Sequence, residues 1–164
     1  SCGIVCNFAI HYMCDSRESI VNFMKFAAQM CRPGGHFMFT TFSGSRIVEA
    51  LKERPQGEVV EWPESGVVKY AIGKLYAGDT LSQWGQMISV KLPFVAEMRE
   101  EPLANIDAIC AIADRVGFTK VVEKSFGEFD SSTLSMKLSD VDKEYIALHT
   151  LVVLRRRKDG AKKV

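Results

Sequence analysis

The sequence predicts an α/β fold: the second half of a doubly wound, Rossmann-like sheet with antiparallel edge strands and a β-ribbon insertion. Three observations carry this. An apolar run, Gly3 to Ile10, is followed by a helix-patterned segment, a Pro33-Gly34-Gly35 turn and a second apolar run from Phe37 to Thr41, which reads as strand, helix, strand. Antiparallel signals follow, and then a helix and two late strands. The 164 residues are 47% hydrophobic and 25% charged, enough for one globular domain or most of one.

Each element has its own warrant. Asp15-Ser16-Arg17-Glu18 reads as a helix start with Asp15 as cap, and Ile20, Phe23, Met24, Ala27 and Met30 recur at helical spacing. Phe23, Met24, Phe26 and Met30 are expected in the core. Ser43 or Ser45 is placed to cap a short helix carrying Ile47, Val48 and Leu51. Glu53 to Ser65, with two prolines and Gly57, reads as a surface loop. Val67–Tyr76 and Gln86–Leu92, separated by the turn at Ala77–Thr80, form a ribbon, with Trp84 covering the sheet. Asn105–Val116 is a helix stopped by Gly117. Phe118–Phe126 and His149–Leu154 are strands, Asp130–Ser139 is polar and weakly patterned, and a basic tail follows Leu154.

Composition narrows function. The net charge of +1 excludes a polyanion binder by bulk charge alone. The five cysteines (Cys2, Cys6, Cys14, Cys31 and Cys110) form no CxxC pair, which argues against zinc. Their odd number and scattered spacing suggest reduced thiols and an intracellular setting. No apolar run is long enough for a membrane span. A chain that opens on a core-like strand suggests the C-terminal piece of something longer. Gly34-Gly35 precedes a strand, so it cannot serve as the glycine-rich loop that links a strand to a helix.

In a strand–helix–strand unit the ligand crevice lies at the carboxyl ends of the strands, where His11 and Tyr12 fall. These two side chains can bond to and stack on a flat heterocycle. Taken singly, each also suits ordinary packing, as does His149.

Asn7-Phe8-Ala9-Ile10-His11-Tyr12, followed by Cys31-Arg32-Pro33-Gly34-Gly35-His36 and the Thr40-Thr41 strand, resembles the mRNA cap guanine-N7 methyltransferase family. That family typically shows a Q-F-x-x-H-Y motif, a Pro-Gly-Gly or similar turn and a T-T strand. The similarity continues through Val68-Lys69-Tyr70, Trp84-Gly85 and Glu100-Glu101 to the last strand. It implies that residues 1–154 are the C-terminal portion of a methyltransferase domain and that 155–164 form a basic tail. Asn7, standing where the family usually has Gln, and Phe8 would face S-adenosylmethionine. His11, Tyr12, Glu101 and His149 would hold the cap guanine, with Tyr145 as the other candidate for the family's last-strand Tyr. Glu101 would accept from the guanine ring N–H and its exocyclic amine.

The implied reaction needs no general base, because guanine N7 carries a free lone pair. Capped RNA, and other capping-enzyme domains or subunits, are the implied partners. The implied compartment is the nucleus if the source is cellular and the cytoplasm if it is viral. Arg155-Arg156-Arg157-Lys158 with Lys162-Lys163 invites a phosphate-contact reading. Two other readings remain: a methyltransferase of the same architecture with a different substrate, and an inactive methyltransferase-like partner module.

Overall fold

The structure is a computed structural model that describes residues 3–130 and 137–158. Strand β1 (Gly3–Asn7), helix α1 (Arg17–Met30) and strand β2 (His36–Phe42) form the expected parallel unit, with Val5 opposite Met38 and Asn7 opposite Thr40. The last strand, β8 (His149–Arg156), lies antiparallel against β2, and β7 (Phe118–Ser125) lies antiparallel against β8. The first sheet therefore runs β1-β2-β8-β7. The second sheet is antiparallel throughout: β3 (Val59–Glu64), β4 (Val67–Lys74), β5 (Met87–Lys91) and β6 (Arg99–Pro102), in that order. Three more helices complete the described residues: α2 (Gly44–Ala50), α3 (Ile106–Arg115) and α4 (Asp140–Ile146).

Alternation on the first sheet separates two faces. Phe37, Phe39, Val152, Leu154 and Phe118 are fully buried together with Ile20 and Met24 of α1 and Ile109 of α3. That face is sealed by two amphipathic helices. Val5, Met38, Val153 and Val122 stand in register as one row on the other face. This row is open at its edges, where Val5 is 57% and Val122 41% exposed.

Several sequence expectations change. The first strand stops at Asn7, and Ile10–Met13 form a 3-10 turn. Ser16, not Asp15, caps α1: its hydroxyl accepts from the Ser19 amide at 3.2 Å, because Ser16 holds the extended backbone that a cap needs. Phe26 and Met30 are each 58% exposed and are not core, since they lie outside the stripe formed by Ile20, Met24 and Ala27. The stretch 53–65 contains β3, an edge strand whose bulge at Trp62/Pro63 accommodates a residue without an N–H. Trp84 sits in the connection between β4 and β5 and packs partly against the first core, so it does not cover the ribbon. Glu100 and Glu101 lie in β6. Helix α4 had no sequence signal strong enough to be read beforehand.

The final strand continues to Arg156. The Arg156 guanidinium donates to the Val116 carbonyl at 2.6 Å, and that of Arg157 donates to Asp114 and to the Phe118 carbonyl. Two members of the basic run are thus pinned to the corner between α3 and β7. Lys162 and Lys163, and residues 131–136 of the polar stretch, lie outside the described residues.

Candidate active site

The carboxyl ends of β1 and β2 meet the second sheet at a cavity of about 360 Å³, lined by Phe8, His11, Tyr12, Phe42, Val90, Leu92, Glu101, Tyr145 and His149. That volume suits a small ligand. Local backbone explains the placement. Phe8 adopts a left-handed conformation (φ 49°), which is uncommon for a bulky residue. It is held there by its amide, which donates to the Thr40 carbonyl at 2.9 Å. The chain then turns into the 3-10 segment, which buries His11 and leaves Tyr12 56% exposed at the rim. The two rings lie 4.2 Å apart.

One wall is a cross-strand pair. His149, the first residue of β8, sits opposite Phe42, the last of β2, and their rings stack at 4.0 Å. Phe8 and Tyr145 meet the His149 ring edge-on at 5.5 and 5.3 Å. Tyr145 is itself stacked on Tyr70 at 3.9 Å. Lys69 fixes that arrangement, because its ammonium lies 2.7 Å from both Glu64 and Asp142 while the Tyr70 hydroxyl donates to Asp142 at 2.8 Å.

The polar end is formed by Glu101 and His11, with a carboxylate oxygen 3.4 Å from His11 Nε2. Burial pushes the Glu101 carboxyl up to about 7 and the His11 imidazole down to about 4, so both are biased towards their neutral forms. Neither His11 ring nitrogen makes a hydrogen bond, and the buried Tyr145 hydroxyl also lacks a partner. Burial likewise lowers His149 to about 4 and raises the Tyr145 phenol. Aromatic walls thus flank a neutral acid and unsatisfied polar groups. The arrangement can sandwich a flat ring and bond its edge.

The structure brings five of the sequence-derived residues together here: Phe8, His11, Tyr12, Glu101 and His149, with Tyr145 beside His149. Asn7 is not among the lining residues. It is exposed at the end of β1, and its side-chain oxygen accepts from the Thr40 hydroxyl at 3.3 Å. Phe42, Val90 and Leu92 were missed. Phe42 closes the Thr40-Thr41 strand at the same carboxyl edge that singled out His11, so position could have found it. Val90 and Leu92 reach the cavity only because the second sheet folds over it.

No family model matches the chain. It is 35% identical, over 94% of its length, to the mRNA-capping enzyme of African swine fever virus from a Kenyan pig isolate, and equally to that of a South African tick isolate. The chain spans about a fifth of the length of these curated relatives (19%). Solved structures share the fold. An S-adenosylmethionine-dependent methyltransferase from Clostridium acetobutylicum superposes with a TM-score of 0.54 at 13% identity, over 94% of this chain and 58% of that one. The CcbJ methyltransferase from Streptomyces caelestis gives 0.56 at 13% identity, covering 94% of this chain and 60% of that one. The chain is thus similar in sequence to about a fifth of each viral mRNA-capping enzyme it matches, and its α/β fold is the one seen in solved S-adenosylmethionine-dependent methyltransferases.

Proposed function

We propose that this chain forms the cap-guanine side of an mRNA (guanine-N7)-methyltransferase. The observation that carries the reading is the Glu101–His11 polar end set between the stacked Phe42–His149 wall and Tyr12. Guanine presents a ring N–H and an exocyclic amine along one edge, and a Glu101 carboxylate accepts from both. Adenine offers an acceptor where guanine has the ring N–H, and so leaves the carboxylate facing a lone pair. Such unpaired polar contacts reject an analogue strongly.

The donor side of the proposed site is the rim at the end of β1. Asn7 is exposed at the carboxyl end of β1, its oxygen engaged by Thr40 and its amide N–H₂ without a described partner. Phe8, the next residue, adopts a left-handed turn and is 49% exposed, with its ring against those of His149 and Phe126. These two residues would hold S-adenosylmethionine, which when bound supplies an electrophilic methyl group. A glycine-rich donor loop is expected elsewhere in the polypeptide.

The remaining work belongs to the side chains present. The aromatic wall fixes the plane of the guanine, and Glu101 fixes its rotation in that plane. Alignment of this sort contributes up to about 7–11 kcal/mol to a bimolecular transfer. N7 carries its own lone pair, so no proton has to leave it and no general base is required. As positive charge develops on the purine, the Glu101 carboxylate stabilises it. The role in capping makes capped RNA and other capping domains the partners, and the viral source of the relatives favours a cytoplasmic site over the nucleus. Among the described residues no helix is long and apolar enough to cross a membrane.

The test is methyl transfer from labelled donor to GpppG-capped RNA by the full-length protein, with the methylated position mapped. Label at N7, and a loss of at least about 100-fold in kcat/KM for Glu101→Ala, is the expected result. Such a loss is about 2.7 kcal/mol, within the range for removing one partner of a buried charged hydrogen bond. Label elsewhere, or unchanged kinetics in the variant, would refute the assignment.

A further inference from the structure

Phe94 differs from every other apolar side chain described. It is 98% exposed, whereas the next most exposed large apolar residue, Val67, is 69% exposed. The local backbone holds it there. Leu92–Val95 is a tight turn, closed by the Val95 amide donating to the Leu92 carbonyl at 3.1 Å. Pro93 takes the second position, where its fixed φ favours such a turn. The third residue, Phe94, is thereby displayed to solvent. Folding gains nothing from a phenyl ring left in water.

The turn joins β5 to β6 at the mouth of the proposed guanine pocket. Leu92, its first residue, lines the cavity and is 45% exposed. The α-carbons of Leu92 and Phe94 are at most about 7 Å apart. Opposite residues of an antiparallel pair share a face, so Arg99, opposite Val90, lies on the same face of β6 as Glu101. Arg99 is exposed, and its guanidinium has no ion pair or hydrogen bond among the described residues. Glu100 alternates to the other face, and Glu97 lies in the loop itself. Beyond Glu101, the pocket side of this hairpin therefore carries an unpaired cation and an uncovered aromatic ring. That combination favours a nucleotide, which offers a phosphate and a flat base, over an apolar protein segment.

We infer that Phe94 is a stacking platform for the base that follows the cap guanine, the first nucleotide of the RNA. This rests on the cap-guanine reading and carries it past the guanine. At about 360 Å³ the cavity is at the small end for ligand sites, so a guanine nucleoside fills it. The triphosphate bridge and the next nucleotide then leave across the rim. In that reading the β1 side of the rim is given to the donor, which leaves the hairpin side for the RNA. Stacking accepts any base, because every base has a π-face. The platform would therefore hold capped ends whatever their first nucleotide. It would also tell them from free GTP, which has the guanine and the triphosphate but no second base.

The test titrates the full-length protein with GpppG and with an analogue whose second nucleoside is an abasic ribose. The analogue keeps the charge and length of the bridge and lacks only the second base. The wild type should bind GpppG at least about fivefold tighter than the analogue, the least that one base on one aromatic ring contributes. GpppA should behave as GpppG does. Phe94→Ala should erase the difference and leave the affinity for the analogue unchanged. Phe94→Trp should keep it, and the added indole fluorescence should be quenched by GpppG but not by the analogue. Equal binding of the two ligands by the wild type would overturn the platform. So would a Phe94→Ala loss that falls on both alike, which would make the ring a cover for the guanine or a contact for another part of the protein. Binding of the analogue that depends on Glu101 upholds the guanine pocket whichever way Phe94 behaves. If neither ligand binds, pocket and platform fall together.

Discussion

On the proposed cap reading, Glu101 and His11 would couple guanine binding to pH. With its carboxyl raised to about 7 by burial, Glu101 is about half protonated at neutrality and increasingly protonated below it. Guanine requires the carboxylate, so binding must expel that proton to solvent. His11, lowered to about 4, stays neutral over the same range and contributes no opposing change. Affinity for a GpppG analogue should therefore rise with pH through the Glu101 titration and weaken up to about tenfold per unit below it. Titration calorimetry in buffers of different ionisation enthalpy should show about one proton released per cap bound near pH 6, and none in Glu101→Gln. A flat pH profile in the wild type would remove this role from Glu101. His11 and Tyr12 were legible in sequence because a strand end followed by a polar aromatic pair marks the crevice. The burial that shifts Glu101 was not, since it depends on β5, β6 and the 3-10 turn at Ile10–Met13 closing together from distant parts of the chain.

Helix α1 shows how local chemistry sets an element boundary. The sequence reading took Asp15 as the cap, but the next residue holds the capping backbone: Ser16 is extended and accepts from Ser19, and its hydroxyl also donates to that of Ser19 at 2.9 Å. Ser16→Ala should cost about 1 kcal/mol of stability and Asp15→Ala less than about 0.5 kcal/mol, measured by denaturant unfolding. The opposite ranking would restore Asp15 as the cap. Helix α3 was readable nearly to the residue, because Asn105 caps it by accepting from Ala108 and Gly117 ends it at φ 95°. Strand β3 was hidden because Pro55 and Pro63 are ordinary loop signals. It exists only where an edge position and a bulge tolerate Pro63, which is a property of the assembled sheet.

At the scale of the whole molecule, the first sheet is finished on one side and open on the other. The open row runs from Val5 to Val122, β1 is an edge strand of that sheet, and Phe26 and Met30 of α1 are exposed apolar side chains as well. An apolar, flat sheet edge invites association. Produced by itself, the chain should sediment as a concentration-dependent oligomer, and Val5→Lys with Phe26→Glu should shift it towards monomer. Monomeric behaviour of the unaltered chain at high concentration would contradict this. The fold class was legible from the order of elements, whereas the division into two sheets was not, because strand partners are set by contacts far apart in the sequence.

The proposed guanine pocket draws Phe42 and His149 from one sheet and Val90 and Glu101 from the other. A ligand held there acts as a clasp across the seam. Occupancy should therefore be felt far from the ring itself, as a slowing of hydrogen exchange in β5, β6 and the start of β8 together. On the proposed reading, a capped end would tighten the joint between the sheets before any chemistry begins.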